Sequence, residues 1–309
     1  MEIYRYNELQ PGVFRKPAVS IGIFDGVHRG HVSLLAHLRN VALIANAETV
    51  VVTLWPHPRM VLFPDKPIKL LTTLEEKLSL LEKQAIDKVV LIDFDQNFAQ
   101  IPAQEFISKG LVGKLNMSHL VLGYDNHFGH NKEGRVDVVK QEAEKWGFRV
   151  VQLPPVFHGE EVISSTNIRL YLELGNIEKA NELLGYPFFL KGKVIEGNRL
   201  GRTLNFPTAN LQTETYKMLP RVGVYAVWVK VGSDSYPGMM NIGFRPTIQP
   251  HLKEKTLEVH LIHFEGDLYG REITVNFVKR IRDEIKFPSI ADLQQQLEID
   301  RAATLKILE

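Results

Sequence analysis

The chain has 309 residues, 44% of them hydrophobic and 24% charged, an ordinary globular composition with length enough for about two domains. It contains no cysteine, which excludes a disulfide framework, thiolate zinc sites, iron–sulfur clusters and a cysteine nucleophile. With 37 Lys+Arg against 36 Asp+Glu the net charge is +1, so no global field advertises nucleic acid or an anionic membrane as a partner. The polar start lacks the apolar region of a signal peptide, and no apolar run reaches the ~18 residues of a membrane span. A cytoplasmic protein is expected.

In chain order, Val19–Phe24 reads as a strand running into a loop rich in Gly and His. Leu34, Leu38, Val41 and Ala45 then recur at helical spacing. Thr49–Trp55 is β-branched and apolar, a buried strand. Thr73 and Glu76 form a capping box ahead of a helix whose apolar stripe is Leu74, Leu78, Leu81 and Ala85. Lys88–Phe94 is a strand, Ala103–Leu115 a helix, His119–Tyr124 a strand, Val136–Trp146 a helix and Arg149–Leu153 a strand. This alternation predicts a parallel sheet with helices on both faces. Ligands of such sheets sit beyond the carboxyl ends of the strands, so the loops beginning at Asp25, Pro56, Gly123 and Pro154 are the candidate sites. After Gly185 the pattern changes to strand-like runs at Val224–Val231, Leu257–Phe264 and Ile273–Val278, separated by Gly, Pro, Asn and Asp. An antiparallel barrel or sandwich fits, closed by a last helix capped by Ser289. The expected boundary therefore divides the chain into 1–185 and 186–309.

Gly22-Ile23-Phe24-Asp25-Gly26-Val27-His28-Arg29-Gly30-His31 joins the first strand to the first helix. Glycines let backbone approach a ligand closely, a helix N-terminus favours phosphate, and two histidines flank Gly30. The H-x-G-H spacing at a first β–α turn matches the phosphate-binding motif of the nucleotidyltransferase superfamily. Ser164-Ser165-Thr166-Asn167-Ile168-Arg169 opens a later helix; it reads either as a cap or as hydroxyls and a guanidinium completing a phosphate clamp. His57 and Arg59, and the loop Gly123–Gly129 with Asp125 and Phe128, lie at the same predicted sheet edge. In the second half, Gly201 precedes a segment in which Thr208 and Asn210 alternate. They are either local turn bonds or hard oxygen ligands for Mg²⁺. Glu258, inside an apolar strand, is either solvated or a general base.

Together these residues resemble one family, the bacterial bifunctional riboflavin kinase/FMN adenylyltransferases, also called FAD synthetases. The likeness runs from about residue 18 to the C-terminus. It is carried by G-x-F-D-G-x-H-x-G-H at Gly22–His31, P-H-P at Pro56–Pro58, S-S-T-x-I-R at Ser164–Arg169, F-P-T-A-N at Phe206–Asn210 and G-V-Y at Gly223–Tyr225. N-I-G-x-x-P-T at Asn241–Thr247, L-E-V-H at Leu257–His260, D-L-Y-G at Asp267–Gly270 and the K-F before the last helix extend it. The resemblance implies an N-terminal Rossmann-like nucleotidyltransferase domain that turns FMN and ATP into FAD and pyrophosphate. It also implies a six-stranded antiparallel β-barrel, followed by a helix, that phosphorylates riboflavin with ATP. By motif, Gly22, Phe24, Asp25, Gly26, His28, Gly30 and His31 would hold ATP, with Ser164, Ser165, Thr166 and Arg169 completing the clamp. His57, Arg59, Asp125 and Phe128 would contact flavin. Gly201, Thr208 and Asn210 would bind the second ATP and its Mg²⁺, and Glu258 would be the base for the flavin hydroxyl. Two positions depart from the pattern: Asn205 stands where Gly is usual, and Asn126 where an aromatic is usual. A monofunctional adenylyltransferase is disfavoured because Thr208, Asn210 and Glu258 are all present. A non-catalytic flavin-binding regulator is disfavoured by the intact histidine pair, and a class I tRNA synthetase by the absence of a K-M-S-K-S run.

Overall fold

A computed structural model describes residues 1–10, 12–124, 129, 134–197, 206–244 and 255–309. Asp125, Asn126, Phe128, Gly201 and Asn205 lie outside the described residues. The chain divides into two compact units, Met1–Ser165 and Thr166–Glu309. The expected boundary at 185/186 falls two helices further along.

The first unit is built on strands β1 (Glu2–Arg5), β2 (Ala18–Ile21), β3 (Thr49–Trp55), β4 (Lys88–Asp93), β5 (His119–Leu122) and β6 (Arg149–Gln152). They form one sheet in the order β1-β4-β3-β2-β5-β6, with every pairing parallel. Two short strands, β7 (Phe157–His158) and β8 (Glu161–Val162), pair as a separate hairpin. β1 has no apolar run to announce it; its burial is exposed on three of four residues because it is a sheet edge. The central strands β2, β3 and β5 are apolar on both sides, as a sheet covered by helices requires. Val19, Ile21, Val50, Val52, Leu120 and Leu122 share one core with Phe106, Ile107 and Leu111.

The covering helices are α1 (Arg29–Ala45), α2 (Pro58–Leu62), α3 (Leu74–Glu82), α4 (Ala103–Glu105) and α5 (Val136–Trp146). On α1 the buried residues are Leu34, Leu35, Leu38 and Ala42, so the inward stripe is rotated slightly from the expected one. The capping box of α3 forms as expected: the Glu76 amide donates to Thr73 Oγ1 at 3.2 Å, and the Thr73 amide to Glu76 Oε2 at 2.9 Å. The stripe of α3, however, differs from the expected Leu74, Leu78, Leu81 and Ala85. Its buried residues are Glu76, Lys77, Leu80 and Leu81, because polar groups of the neighbouring loop face this helix and hold two charged side chains inside. α4 does not continue as an α-helix; Phe106–Lys114 is a π-helix. Over two turns both geometries bring Phe106, Ile107 and Leu111 inward, so apolar spacing does not separate them.

The second unit opens with α6 (Ser165–Leu174, its first residue still in the first unit) and α7 (Ile177–Leu184). Six strands follow: β9 (Phe189–Ile195), β10 (Ala209–Gln212), β11 (Gly223–Val231), β12 (Asp234–Phe244), β13 (Lys255–Leu261) and β14 (Glu272–Arg282). They close into an antiparallel barrel in the order β10-β13-β12-β11-β14-β9. The sequence reading missed β9 and β12 because Gly192 interrupts one and Pro237-Gly238 the other, both strand breakers by composition. Closure supplies the partners that outweigh them. Tyr225, Val227, Met240, Ile242, Val259 and Val275 fill the interior. α7 packs on β14: Asn181 donates to the Phe277 carbonyl at 2.9 Å and accepts from the Phe188 amide at 2.7 Å. The last helix, α8 (Ile290–Leu308), is capped by Ser289, whose Oγ accepts from the Asp292 amide at 3.1 Å. Its Leu293, Leu297 and Leu305 pack on Phe206, Met239 and Ile262, outside the barrel. Among the described residues no helix is long and apolar enough to cross a membrane.

Candidate active sites

The loop after β2 is shaped by a buried carboxylate. Asp25 is 5% exposed. It accepts from the Leu71 amide at 3.1 Å, the Thr72 amide at 3.1 Å and the Thr72 hydroxyl at 3.2 Å. Thr72 Oγ1 in turn accepts from the Gly26 amide at 3.2 Å. Asp25 therefore staples the glycine loop to the start of α3. Phe24 is buried and, at φ 53°, left-handed, and its ring leans on His31 with centroids 5.2 Å apart. The chain then enters α1 through His28, the helix N-cap, whose Nδ1 accepts from the His31 amide at 3.4 Å. In a neutral imidazole this bond puts the ring proton on Nε2. The two histidine rings stack at 3.7 Å and 17°. Gly30 between them leaves the His28 ring close to the backbone: a Cβ would stand 3.1 Å from His28 Nδ1, so the ring would have to give way, and 3.5 Å from the Ile163 carbonyl. Burial, then the neighbouring His28, then Lys77 hold the His31 imidazole well below its ordinary value. His31 is thus neutral at pH 7.

Ser165 is brought onto this loop, its hydroxyl donating to the Asp25 carbonyl at 2.9 Å. Ser164 is half-buried beside it in sequence. Thr166 is exposed and Arg169 half-buried, both on α6 within the second unit. Gly22 follows β2 directly. His57 caps α2, its Nδ1 accepting from the Arg59 amide at 3.0 Å, and the Arg59 side chain is exposed. Thr72 and Lys77 were not singled out from sequence, since their partners Asp25 and Ile23 lie 47 and 54 residues away.

In the barrel, Asn210, Glu258 and Asn241 are cross-strand neighbours on β10, β13 and β12. Alternation along β13 buries Leu257, Val259 and Leu261 inside and turns Glu258 and His260 outward, under α8. Thr208 Oγ1 stands 3.5 Å from Glu258 Oε2. Asn210 packs where a side chain on Gly197 would fall, 1.9 Å from its Nδ2. Two cavities meet at Thr208. The larger, about 270 Å³, has an apolar wall of Phe206, Met239, Phe287, Leu293 and Leu297 and a polar edge of Asn241, Glu258, His260, Arg282 and Asp300. The smaller, about 90 Å³, is lined by Val194, Pro207, Leu261, Phe264, Tyr269 and Thr208 again. A buried ion pair ties α8 to β14 at the rim of the larger cavity: Arg282 Nε and Nη2 reach Asp300 at 3.0 and 2.6 Å, and Gln296 adds a bond at 2.9 Å. His260 Nδ1 lies 2.8 Å from the Pro207 carbonyl, bracing the strand that carries Thr208. Asn241, His260, Arg282 and Asp300 are functional-site neighbours that the sequence reading did not single out. Asn241 and His260 stood in quoted motifs, whereas the Arg282–Asp300 pair had no local signal.

A parallel α/β unit with a histidine-bearing loop at its first β–α turn, joined in sequence to a closed barrel with a polar row beneath a helix, is a two-site architecture. A family model for FAD synthetase matches residues 11–167, and one for riboflavin kinase matches residues 184–308. The bifunctional riboflavin kinase/FMN adenylyltransferase of Escherichia coli (strain K12) is 40% identical over 283 residues, covering 91% of this chain and 90% of its own. That of Bacillus subtilis (strain 168) is 36% identical over 294 residues, covering 94% and 92%. A crystal structure from Streptococcus pneumoniae, named as a macrolide-efflux protein, superposes with a TM-score of 0.88 at 30% identity, covering 98% of this chain and 99% of that one. The chain belongs to the bifunctional riboflavin kinase/FMN adenylyltransferase family.

Proposed function

We propose that the chain converts riboflavin to FMN in residues 186–309 and FMN to FAD in residues 1–185, consuming one ATP at each step. The observation that carries the kinase reading is the junction at Thr208, where a cavity of about 270 Å³ with an apolar wall and a smaller cavity share one residue, with Glu258 3.5 Å away. Riboflavin's ring lies against Phe206, Met239 and the leucines of α8, which presents its terminal hydroxyl to Glu258. The carboxylate accepts that proton as the oxygen attacks the γ-phosphorus of ATP, and ADP leaves. Positioning and general-base catalysis together suffice for such a step. The donor set of Thr208 hydroxyl, Asn210 amide and Glu258 carboxylate is all hard oxygen, which fits a partly hydrated Mg²⁺. Thr208 and Asn210 would hold it, and when bound it neutralises charge on the phosphates.

In the first unit, an oxygen of the FMN phosphate attacks the α-phosphorus of ATP and pyrophosphate leaves. No enzyme-bound covalent intermediate is needed, because the nucleophile already resides on FMN. His28 and His31, at the N-terminus of α1, hold phosphate oxygens as charge builds on the leaving group. Asp25 acts by holding the loop. Ser164, Ser165, Thr166 and Arg169 complete the clamp, and His57 and Arg59 serve the flavin phosphate. The adenylyltransferase function is assigned to 1–185 and the kinase function to 186–309. Incubation with riboflavin, excess ATP and Mg²⁺ is expected to show FMN rising first and FAD after it on chromatography. FMN accumulating with no FAD under any condition would remove the adenylyltransferase assignment.

A further inference from the structure

Among the described residues, Lys77 is one of the buried charges that the two reactions leave without a task. Lys77 on α3 is 2% exposed. Its ammonium donates to the Ile23 carbonyl at 3.1 Å, Thr53 Oγ1 at 3.3 Å and the Leu54 carbonyl at 3.4 Å, and lies 5.4 Å from the centre of the Trp55 ring. These partners stand where β2 and β3 run out at their carboxyl ends, the first of them within the glycine loop itself, and all are neutral. The ionisable groups facing Lys77 are few. The loop offers Asp25, whose two oxygens are taken up by Leu71 and Thr72. α1 offers His28 and His31, which repel a cation when protonated. β3 contributes Thr53 and Trp55, with no ionisable group, and on α3 itself Glu76 is locked in the capping box. An ammonium buried without a carboxylate in contact is expensive, and such a group in a candidate site points to a charge partner supplied from outside.

We propose that Lys77 is a positioning residue of the adenylyl-transfer site, its charge held beneath the Gly22–His31 loop so that the polyphosphate of ATP balances it. The proposal rests on the reading of that loop as a phosphate cradle. Two consequences follow from the geometry. A neutral amine has only two N–H groups for three acceptors, so deprotonation releases one of the bonds that shape the loop and the end of β3. In the free protein, burial lowers the Lys77 ammonium to about 8 despite the pull of Asp25, whereas a bound polyanion raises it again. Binding of ATP at this site therefore takes up a proton in mildly alkaline solution, and the free protein loses affinity as pH rises.

The test is the pH profile of FAD formation from supplied FMN and ATP, between about pH 7 and about pH 9.5, for the full chain and for Lys77→Arg and Lys77→Met. For the parent, kcat/KM for ATP reports the free protein and is expected to fall up to ~10-fold per pH unit above about pH 8, with the fall in kcat displaced to higher pH. Lys77→Arg keeps the charge at all these pH values and is expected to flatten the profile. Lys77→Met is expected to lose ~100-fold in kcat/KM at neutral pH, also with a flat profile, while riboflavin phosphorylation is unchanged. A flat parent profile overturns the proposal, as does a folded Lys77→Met protein with parental kcat/KM; if Lys77→Met does not fold, the parent and Lys77→Arg profiles still decide. A parent that makes no FAD at any pH overturns instead the phosphate-cradle reading beneath it.

Discussion

Two carboxylates show how burial assigns different work to one side chain. Asp25 accepts three hydrogen bonds within the protein and is nearly inaccessible; Glu258 sits on a cavity edge. Asp25→Ala strands two amides and a hydroxyl, and each buried unsatisfied group costs about 1–3 kcal/mol. It is expected to lower the urea midpoint of the first unit and abolish FAD synthesis, leaving FMN synthesis intact. Glu258→Gln keeps the shape of the side chain and removes the base. Riboflavin phosphorylation is expected to drop ~10²–10⁴-fold with no change in the thermal midpoint, as measured by product chromatography and circular dichroism. Lys77 adds a linkage between charge and stability. Its ammonium titrates at 10.5 in the unfolded chain and at about 8 in the folded one. Between these values the unfolded chain binds more protons, so stability rises with pH across that window and the penalty is fully present below it. The difference amounts to about 3 kcal/mol. In urea unfolding of the first unit, the parent is expected to gain stability relative to Lys77→Met from pH 8 towards 10.5; a constant difference would mean that the ammonium is not desolvated.

Among the elements, α7 and α8 cover the outside of the barrel and are held there by specific polar contacts. α7 buries Ile177, Ala180, Leu183 and Leu184, is stitched to β14 through Asn181, and pairs Glu178 with Lys279 at 3.0 Å. A fragment 166–309 retains this helix and a fragment 186–309 does not. Burial of a large apolar side chain is worth about 1.5–3 kcal/mol, so the shorter fragment is expected to unfold at markedly lower urea concentration. Equal midpoints would show that α7 contributes nothing to the barrel. α8 is held by the Arg282–Asp300 pair, with Asp300 only 1% exposed. Breaking a buried pair leaves an uncompensated charge and costs about 3–5 kcal/mol. Asp300→Ala is expected to loosen the wall of the larger cavity and raise KM for riboflavin, while FMN adenylylation stays at the parental rate.

At the scale of the whole molecule, two units with separate cores carry two separate reactions. Glu258→Gln and His31→Ala are expected to divide them, the first blocking FMN formation and the second FAD formation from supplied FMN. Equal loss of both activities in each folded variant would end the two-site model.

The sequence by itself determined the class of fold and, through the family its motifs resemble, the pair of reactions. The histidine loop, the Thr208–Asn210 segment and Glu258 were legible as candidates because each is encoded in a few contiguous residues, and strands β2 to β5 because buried parallel strands write themselves as apolar runs. The tertiary structure decided what depends on residues distant along the chain. It made strands of Gly192 and Pro237-Gly238 segments by closing a barrel around them, and it brought Leu71 and Thr72 to Asp25, which staples the glycine loop. It joined Arg282 to Asp300 and gave Lys77, which lies between Leu80 and Leu81 around α3, its partners at Ile23, Thr53 and Leu54. The physical reason is common to all of these: apolar periodicity reports which face of an element is buried in oil-like surroundings, whereas a polar group is buried only when specific partners arrive from elsewhere in the fold.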